Sequence, residues 1–577
     1  DRVNSKLKDN SKRIDIEDLP LNDPKTFALL QRAETTGVFQ LESRGMRDYL
    51  RQLVPSDFED IVSMNALYRP GALGMNMVDS YINRKHGREE VTYGHEAVEK
   101  ILSTTYGVIV YQEQVMQIAQ DLSGFSLGQA DILRRAMGKK KKEEMERLRS
   151  TFIEGAVKKK VKERYAANLF DQIEQFAGYG FNRSHSVGYA LIAYQTAWLK
   201  AHFPSEFMAS VMSCDLGNTD SIQIFVDDCR NIGLKILKPD INKSSYRFED
   251  IDSSTILYGL GAIKGIGESL VDKIVEERGK KEYKDLLDFC IRVGFNRVNK
   301  RILTALIGSG AMDCLGERNY LFNIIESCLR NSEQAAERDK SNIKDFFGDE
   351  VNSDIVEDES IQEIEFDHVS AEWSALGFYL ESHPLESKKK EVRNMCGFFI
   401  SELQAESHPQ RIAGTLVHLN VRQGKRGRFA FATLDDSSGR IEVSIWAEIF
   451  DNYRSLLKKG QLLVVEGIVD RDEYGDKKSF KVIADKILTF DQARREYVKN
   501  VSIQLDNKFD QDSVIKVIKE LAVSDEGNQV LISYEADEAS AEIELPQDYL
   551  IDLKDENIKL LKNAFGKDNI NLVYHSR

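Results

Sequence analysis

Residues 411–446 read RIAGTLVHLNVRQGKRGRFAFATLDDSSGRIEVSIW, and from here the apolar positions recur every second residue. Alternation of that kind is the mark of strands with one buried face. Carried on to residue 490, the pattern predicts five strands: Ile412–Val421, Arg428–Leu434, Ile441–Trp446, Gln461–Asp470 and Ser479–Ile487. Ser437-Ser438-Gly439 and Tyr474-Gly475-Asp476 supply hairpin turns, and Ala447–Lys459 predicts one helix after the third strand. Three strands, a helix and two strands is the order of an OB-fold barrel.

Inside that module Arg422, Lys425, Arg426 and Arg428 precede or alternate with Phe429 and Phe431. Cations that follow a phosphate backbone and rings that stack on bases are the two requirements of a single-strand platform. Arg422, Arg426, Arg428, Phe429 and Phe431 are the candidates. The two phenylalanines share one face, and alternation alone leaves open whether that face is the barrel core.

Upstream, residues 255–278 read TILYGLGAIKGIGESLVDKIVEER. A short apolar helix, a glycine turn and an amphipathic helix are expected, the plan of a helix-hairpin-helix. Gly265 and Gly267 would let backbone amides approach a phosphate at the second helix's start, with Lys264 beside them. The competing reading is a tight turn between packed helices.

From about residue 20 to 240 the periodicity is helical. Ser126-Leu127-Gly128-Gln129 reads as a capping box, Ser126 the N-cap and Gln129 the third helical residue, opening a helix that stops near Gly138. Arg134 and Arg135 then fall in its last turn, and six cations lie within residues 134–142. The whole chain carries a net charge of −15, so this patch points to a local polyanion, a triphosphate or a nucleic-acid backbone. Its alternative is a solvated helix end complementing the dipole. Val187, Ala190, Leu191, Tyr194 and Trp198 predict a buried helix after the polar turn Asn182-Arg183-Ser184-His185-Ser186. Tyr179, Asn182, Arg183, Ser184 and His185 combine a ring, donors and glycine freedom suited to lining a nucleotide site. His185 alone reads more simply as a capping residue, and Tyr111-Gln112-Glu113-Gln114 as an ordinary helix start.

A chain of 577 residues is too long for one core, and three to five domains are expected. No apolar run approaches a membrane span, and no leader peptide is visible. The six cysteines are scattered without a C-x-x-C pair, which fits reduced thiols in a cytosolic compartment. No metal-ligand cluster, Ser-His-Asp arrangement or Walker loop stands out, so no metal or catalytic residue is assigned. Residues 331–372 hold fourteen acidic side chains against three basic ones and read as a solvated linker.

Taken together, Gly37-Val38-Phe39-Gln40-Leu41-Glu42-Ser43, Tyr68-Arg69-Pro70-Gly71, Tyr111–Met116, Leu133–Lys140 and Gly178–His185 resemble the alpha subunits of bacterial DNA polymerase III. The resemblance covers essentially the whole chain and matches their C-terminal portion. It implies a multidomain α+β protein: a mostly helical fingers module at 1–240, a helix-hairpin-helix clamp- and duplex-binding module at 241–330, and an acidic linker with a helical connector at 331–410. An OB-fold barrel at 411–490 and a small C-terminal α/β domain at 491–577, of the kind that contacts the clamp-loader tau subunit, complete it. Arg134 and Arg135, with Lys139 and Lys140 nearby, would meet the triphosphate of a deoxynucleoside triphosphate. Ile343, Asp345, Phe346 and Phe347 occupy the place of the sliding-clamp (beta) peptide, here without its usual Gln.

The resemblance also implies primer-template DNA as a ligand, magnesium (Mg2+) held by aspartates upstream of this chain, and a proofreading exonuclease subunit bound through that upstream region. The chain starts at Asp1 in a polar segment and is expected to lack upstream residues, and so to be inactive alone. The rival readings are a non-catalytic repair scaffold built from helix-hairpin-helix and OB modules, and an assembly subunit whose basic patch faces an acidic protein.

Overall fold

The computed structural model describes residues 1–6, 13–139, 142–176, 180–341, 366–381, 383–471, 480–506, 509, 511–523, 527–536 and 539–575. These form two compact units, Asp1–Ala262 with Ile266–Tyr283, and Ile263–Gly265 with Lys284–Arg577.

The first unit is built from helices around two apolar clusters. One gathers Leu30, Leu50, Ile61, Val62 and Tyr81 with Tyr111, Ala190, Ala193, Tyr194 and Ala197. The other gathers Val115, Ile118, Ala119 and Leu122 with Leu133, Ala136, Met137, Phe152 and Phe170. The Gln112–Ser123 helix is shared by both: Tyr111 before its first turn belongs to one core, and its i, i+3, i+4, i+7 stripe lies in the other. Each fully buried Leu, Ile or Phe of such a stripe contributes roughly 1.5–3 kcal/mol. Gly124, in the left-handed region at φ 71°, ends the helix.

A small sheet follows, Lys235–Leu237 (β1), Glu249–Asp252 (β2) and Thr255–Leu257 (β3), in the order β1-β3-β2. It corrects the expected first helix of the hairpin. Thr255, Ile256 and Leu257 are extended and paired on both sides. Only a 3₁₀ turn, Leu260–Ala262, precedes the glycine turn. A Cβ on Gly259 would lie 2.6 Å from the Arg247 carbonyl carbon, so the chain runs against backbone here and has no room for a helical cylinder. The second helix is present at Glu268–Lys280.

In the second unit, Gln410–Gly424 (β4), Gly427–Asp435 (β5), Arg440–Ile445 (β6), Leu462–Arg471 (β7) and Phe480–Thr489 (β8) close into a barrel in the order β4-β5-β6-β8-β7. Closure comes from a parallel pair, β6 with β8, and from β4 pairing with both β5 and β7. Its core is Ile412, Leu416, Ala430, Ala432, Leu434, Val443, Val465, Val482 and Ile487. At the β7 bulge a Cβ on Gly467 would stand 2.1 Å from the Ile483 carbonyl oxygen, so only glycine permits the ladder to bend there. The expected helix Ala447–Lys459 is shorter, Ala447–Tyr453, with Phe450 plugging the barrel. The Tyr474-Gly475-Asp476 turn lies outside the described residues.

Val498–Leu505 (β9), Ala522–Val523 (β10), Gln529–Ala536 (β11), Ala539–Glu544 (β12), Leu550–Ile551 (β13) and Ile570–Tyr574 (β14) make the C-terminal domain. Its mixed sheet runs β12-β11-β9-β14, with the helices Gln511–Leu521 and Asp555–Phe565 packing Ile518, Leu561 and Phe565 onto Val501, Ile503 and Val530. The acidic stretch expected as linker from residue 331 begins inside a helix, Ile325–Ser341. Residues 342–365 lie outside the described residues. Among the described residues no helix is long and apolar enough to cross a membrane.

Candidate nucleotide and nucleic-acid interfaces

The capping box is present: Ser126 Oγ accepts from Gln129 N (3.2 Å), and Gln129 Oε1 accepts from Ser126 N (2.9 Å). The helix it opens runs Leu127–Lys139, one residue beyond the expected stop, which leaves Arg134 and Arg135 just ahead of its last turn. Dipole complementation falls off within the last turn, so it is a weaker account of these two residues. Leu133, Ala136 and Met137 anchor the helix in the core, and the arginines project from the other face.

Both guanidiniums meet one carboxylate. Arg134 Nε and Nη2 donate to Asp131 Oδ1 at 3.0 and 2.8 Å, and Arg135 Nη2 pairs with Asp131 Oδ2 at 2.8 Å. Hydrogen bonding from Arg134 and the charge of both guanidiniums hold the Asp131 carboxyl below the usual carboxylate range. Sequence reasoning passed over Asp131, although its i−3 and i−4 spacing to two arginines was visible. Lys139 ends the helix, and its side chain, with Lys140, lies outside the described residues.

A second group forms where two helices start. Asn182 caps the Arg183–His202 helix, its Oδ1 accepting from His185 N at 2.9 Å. Glu113, in the first turn of the Gln112–Ser123 helix, accepts from Asn182 Nδ2 (2.7 Å) and Arg183 N (3.0 Å). Gln112 N donates to Phe181 O at 2.9 Å, and Arg183 Nη2 reaches Glu59 at 2.7 Å. Tyr111–Gln114 is therefore more than an ordinary helix start: it fixes the polar turn that carries Asn182 and Arg183.

The His185 side chain is not the cap. Its exposed ring lies between Phe181 (5.4 Å between ring centres) and Tyr189 (4.6 Å), Tyr189 continues to Phe39 (5.5 Å), and Arg69 covers Phe181 at 3.9 Å. This row runs along a helix that is buried on one side only. Ala190 and Tyr194 are in the core, while Gly188, Tyr189, Leu191 and Ile192 are exposed, against the expectation of a wholly buried helix. Ser184 is exposed at its start, and Tyr179 lies outside the described residues. The loop bearing Phe39 is tied down from beneath: buried Lys200 donates to Thr36 O at 2.9 Å and pairs with Asp228 at 2.7 Å.

In the glycine turn, Gly265 is left-handed at φ 84°, and Lys264, Gly265 and Gly267 are exposed while Ile266 is buried. Nothing lies within 4 Å of where a Cβ would stand on either glycine. Gly267 is the N-cap of the Glu268–Lys280 helix, so its first amides open onto solvent.

On the barrel, Gly424 and Gly427 pair across a two-residue turn that carries Lys425 and Arg426 at its exposed tip. Ala430, Ala432 and Leu434 take the inward positions of β5, which puts Phe429 and Phe431 on the outer face. They meet edge to face at 5.6 Å, Trp446 lies 5.7 Å from Phe429, and Arg422 approaches Phe431 at 5.6 Å. Arg428 turns instead toward Phe450. Trp446 is half exposed and was missed, yet Ile441, Val443 and Ile445 point inward, so parity alone places it outward. The clamp-peptide candidates Ile343, Asp345, Phe346 and Phe347 lie outside the described residues.

Three family models match the chain: the finger domain of the bacterial DNA polymerase III alpha subunit over residues 1–160, a helix-hairpin-helix motif over 233–321, and an OB-fold nucleic acid binding domain over 411–489. Proteins named DNA polymerase III subunit alpha are similar along nearly all of it. That of Pseudomonas aeruginosa is 40% identical over 590 residues, covering 97% of this chain and 50% of the relative. That of Escherichia coli is 41% identical over 593 residues (99% and 50%), and that of Vibrio cholerae 41% over 590 (99% and 51%). The chain belongs to the bacterial DNA polymerase III alpha family. It spans about half the length of the curated relatives it matches. The family accounts for the order of the modules: helical fingers, helix-hairpin-helix and OB barrel follow one another as the motifs predicted.

Proposed function

We propose that this chain is the nucleotide- and DNA-binding part of a replicative DNA polymerase, which transfers deoxynucleotides to a primer 3′-hydroxyl as the template directs. The observation that carries the reading is the pair of guanidiniums, Arg134 and Arg135, brought to one exposed point on a helix of the fingers region. Guanidinium forks match phosphate oxygens, and fixed positive charge at the departing pyrophosphate stabilises the transition state. Lys139 and Lys140 are assigned to the same triphosphate.

The row Phe39, Tyr189 and His185 offers exposed ring faces for a base, with Asn182, Arg183 and Ser184 at the start of the same helix; Tyr179 is assigned to the same site. Lys264, Gly265 and Gly267 would bind duplex backbone. Arg422, Arg426, Phe429 and Phe431, with Trp446, would hold a single strand, and Arg428, which turns toward Phe450, is assigned to the same strand.

Three carboxylates beside the candidate residues do not fit a metal site. Asp131, Glu113 and Glu59 are each engaged by arginine or amide donors, and among the described residues no cluster of three or more His, Cys, Asp or Glu is placed to hold a metal ion. Mg2+ held by residues outside this chain rests on the resemblance and belongs to the same proposal, in which the chain's own part is to bind, orient and neutralise.

The sliding clamp at Ile343–Phe347, the tau subunit at 491–577, the exonuclease subunit, a cytoplasmic location and domain limits at 240, 330, 410 and 490 rest on the resemblance and belong to the same proposal. The test is photocrosslinking of an azido-deoxynucleoside triphosphate in the full-length polymerase with primer-template. Labelling of the Leu127–Lys139 helix is expected, with Arg134→Ala raising the apparent nucleotide KM and lowering turnover. No labelling there, or unchanged kinetics in Arg134→Ala, overturns the reading in favour of a non-catalytic scaffold.

A further inference from the structure

Two of the triphosphate candidates, Arg134 and Arg135, are already occupied, and by the same residue. Asp131 gives one carboxylate oxygen to Arg134 and the other to Arg135, so two like charges that repel are gathered side by side. Side-chain exposures of 30% for Asp131, 36% for Arg134 and 67% for Arg135 leave the trio in solvent. Solvent screening makes such pairs weak, so this one adds little to the fold. Its electrostatic effect on an arriving anion is larger, because one negative charge cancels half of the pair's positive charge at the point of binding.

Resting on the triphosphate reading above, we propose that Asp131 is a built-in competitor for the polyphosphate. It holds the two guanidiniums ready in the empty site, yields them to a polyanion of higher charge, and takes them back as pyrophosphate leaves. Two short phosphate–guanidinium contacts to a fully cationic pair would retain pyrophosphate as well as they bind substrate. An internal carboxylate three and four residues away lowers both affinities and supplies the returning partner without any motion of the backbone. Asp131 is thus a positioning residue that tunes affinity. The geometry also explains why it precedes both arginines on the helix: i, i+3 and i, i+4 are the two spacings that let one carboxylate reach both side chains.

The test uses the 577-residue chain and inorganic tripolyphosphate and pyrophosphate as probes, with binding followed by titration calorimetry at low and at physiological ionic strength. Asp131→Asn keeps the size and one acceptor oxygen but removes the charge. It is expected to tighten both probes about threefold to tenfold at low salt, with the gain shrinking as salt rises. Asp131→Glu, which keeps the charge, is expected to stay within about twofold of the parent. Circular dichroism of each variant monitors the helix. Unchanged or weaker binding in Asp131→Asn overturns the inference. If the parent's tripolyphosphate binding is instead insensitive to a double Arg134→Ala, Arg135→Ala change, the triphosphate reading itself has failed and the inference falls with it.

Discussion

Phe429 shows how much one position on a strand decides. Phe429 and Phe431 alternate with Ala430 and Ala432, and spacing alone could not say which set faces inward. The barrel settles it by volume: small residues and Leu434 fill the inside of β5, and the larger rings are left outside with Trp446. Base–aromatic stacking contributes about 1–3 kcal/mol per base. Phe429→Ala or Trp446→Ala is therefore expected to weaken binding of a short oligothymidylate about fivefold to hundredfold, read by fluorescence anisotropy, with little change in melting temperature. Unaltered affinity in both variants would remove the single-strand role from this face. Asp131 and Trp446 were legible from spacing and parity. The extension of the His185 row to Phe39 was not, because Phe39 meets Tyr189 only once distant segments pack.

At the scale of elements, the Leu127–Lys139 helix begins where its capping box predicted, since the two reciprocal bonds need only four consecutive residues. Replacing Ser126 with Ala is expected to cost about 1 kcal/mol and to speed amide exchange in the first turn of that helix, with barrel amides unaffected. The first helix of the glycine hairpin failed as an expectation because β1 and β2 lie on both sides of β3, and neither neighbour is visible from the local run.

Near the barrel, His383 Nδ1 accepts from Leu385 N at 3.2 Å, and its other nitrogen lies 3.5 Å from Asp435. Burial pulls its pKa below the ordinary 6.5, with Asp435 and Asp436 opposing. The unfolded chain then binds the proton more tightly than the folded one. Stability is full above pH 6.5 and is lost as the pH falls below it. Thermal melts at neutral pH and about pH 5 should show this loss, and His383→Gln should shrink it. An equal acid loss in that variant would assign it to other groups.

Over the whole chain, a net charge of −15 coexists with cationic and aromatic groups gathered at a few points, an arrangement that suits the proposed binding of DNA without gripping it everywhere. In the second unit, Arg494 is 1% exposed and pairs with Glu391, Asp491 and Asp555, joining the connector, the helix after the barrel and the C-terminal domain. Arg494→Ala leaves Glu391 without its buried partner and is expected to cost about 3 kcal/mol, read as a lower denaturant midpoint for this unit with the fingers unchanged.

Local order was decided by sequence alone: the capping box, the strand period of the barrel and the order of the modules depend on neighbours within a turn or a hairpin. The tertiary structure decided which polar and aromatic groups meet. Glu113 with Asn182, Arg69 with Phe181 and Phe39 with Tyr189 are brought together by packing of separate segments, and a residue's chemistry carries no record of the distant partner that packing will give it.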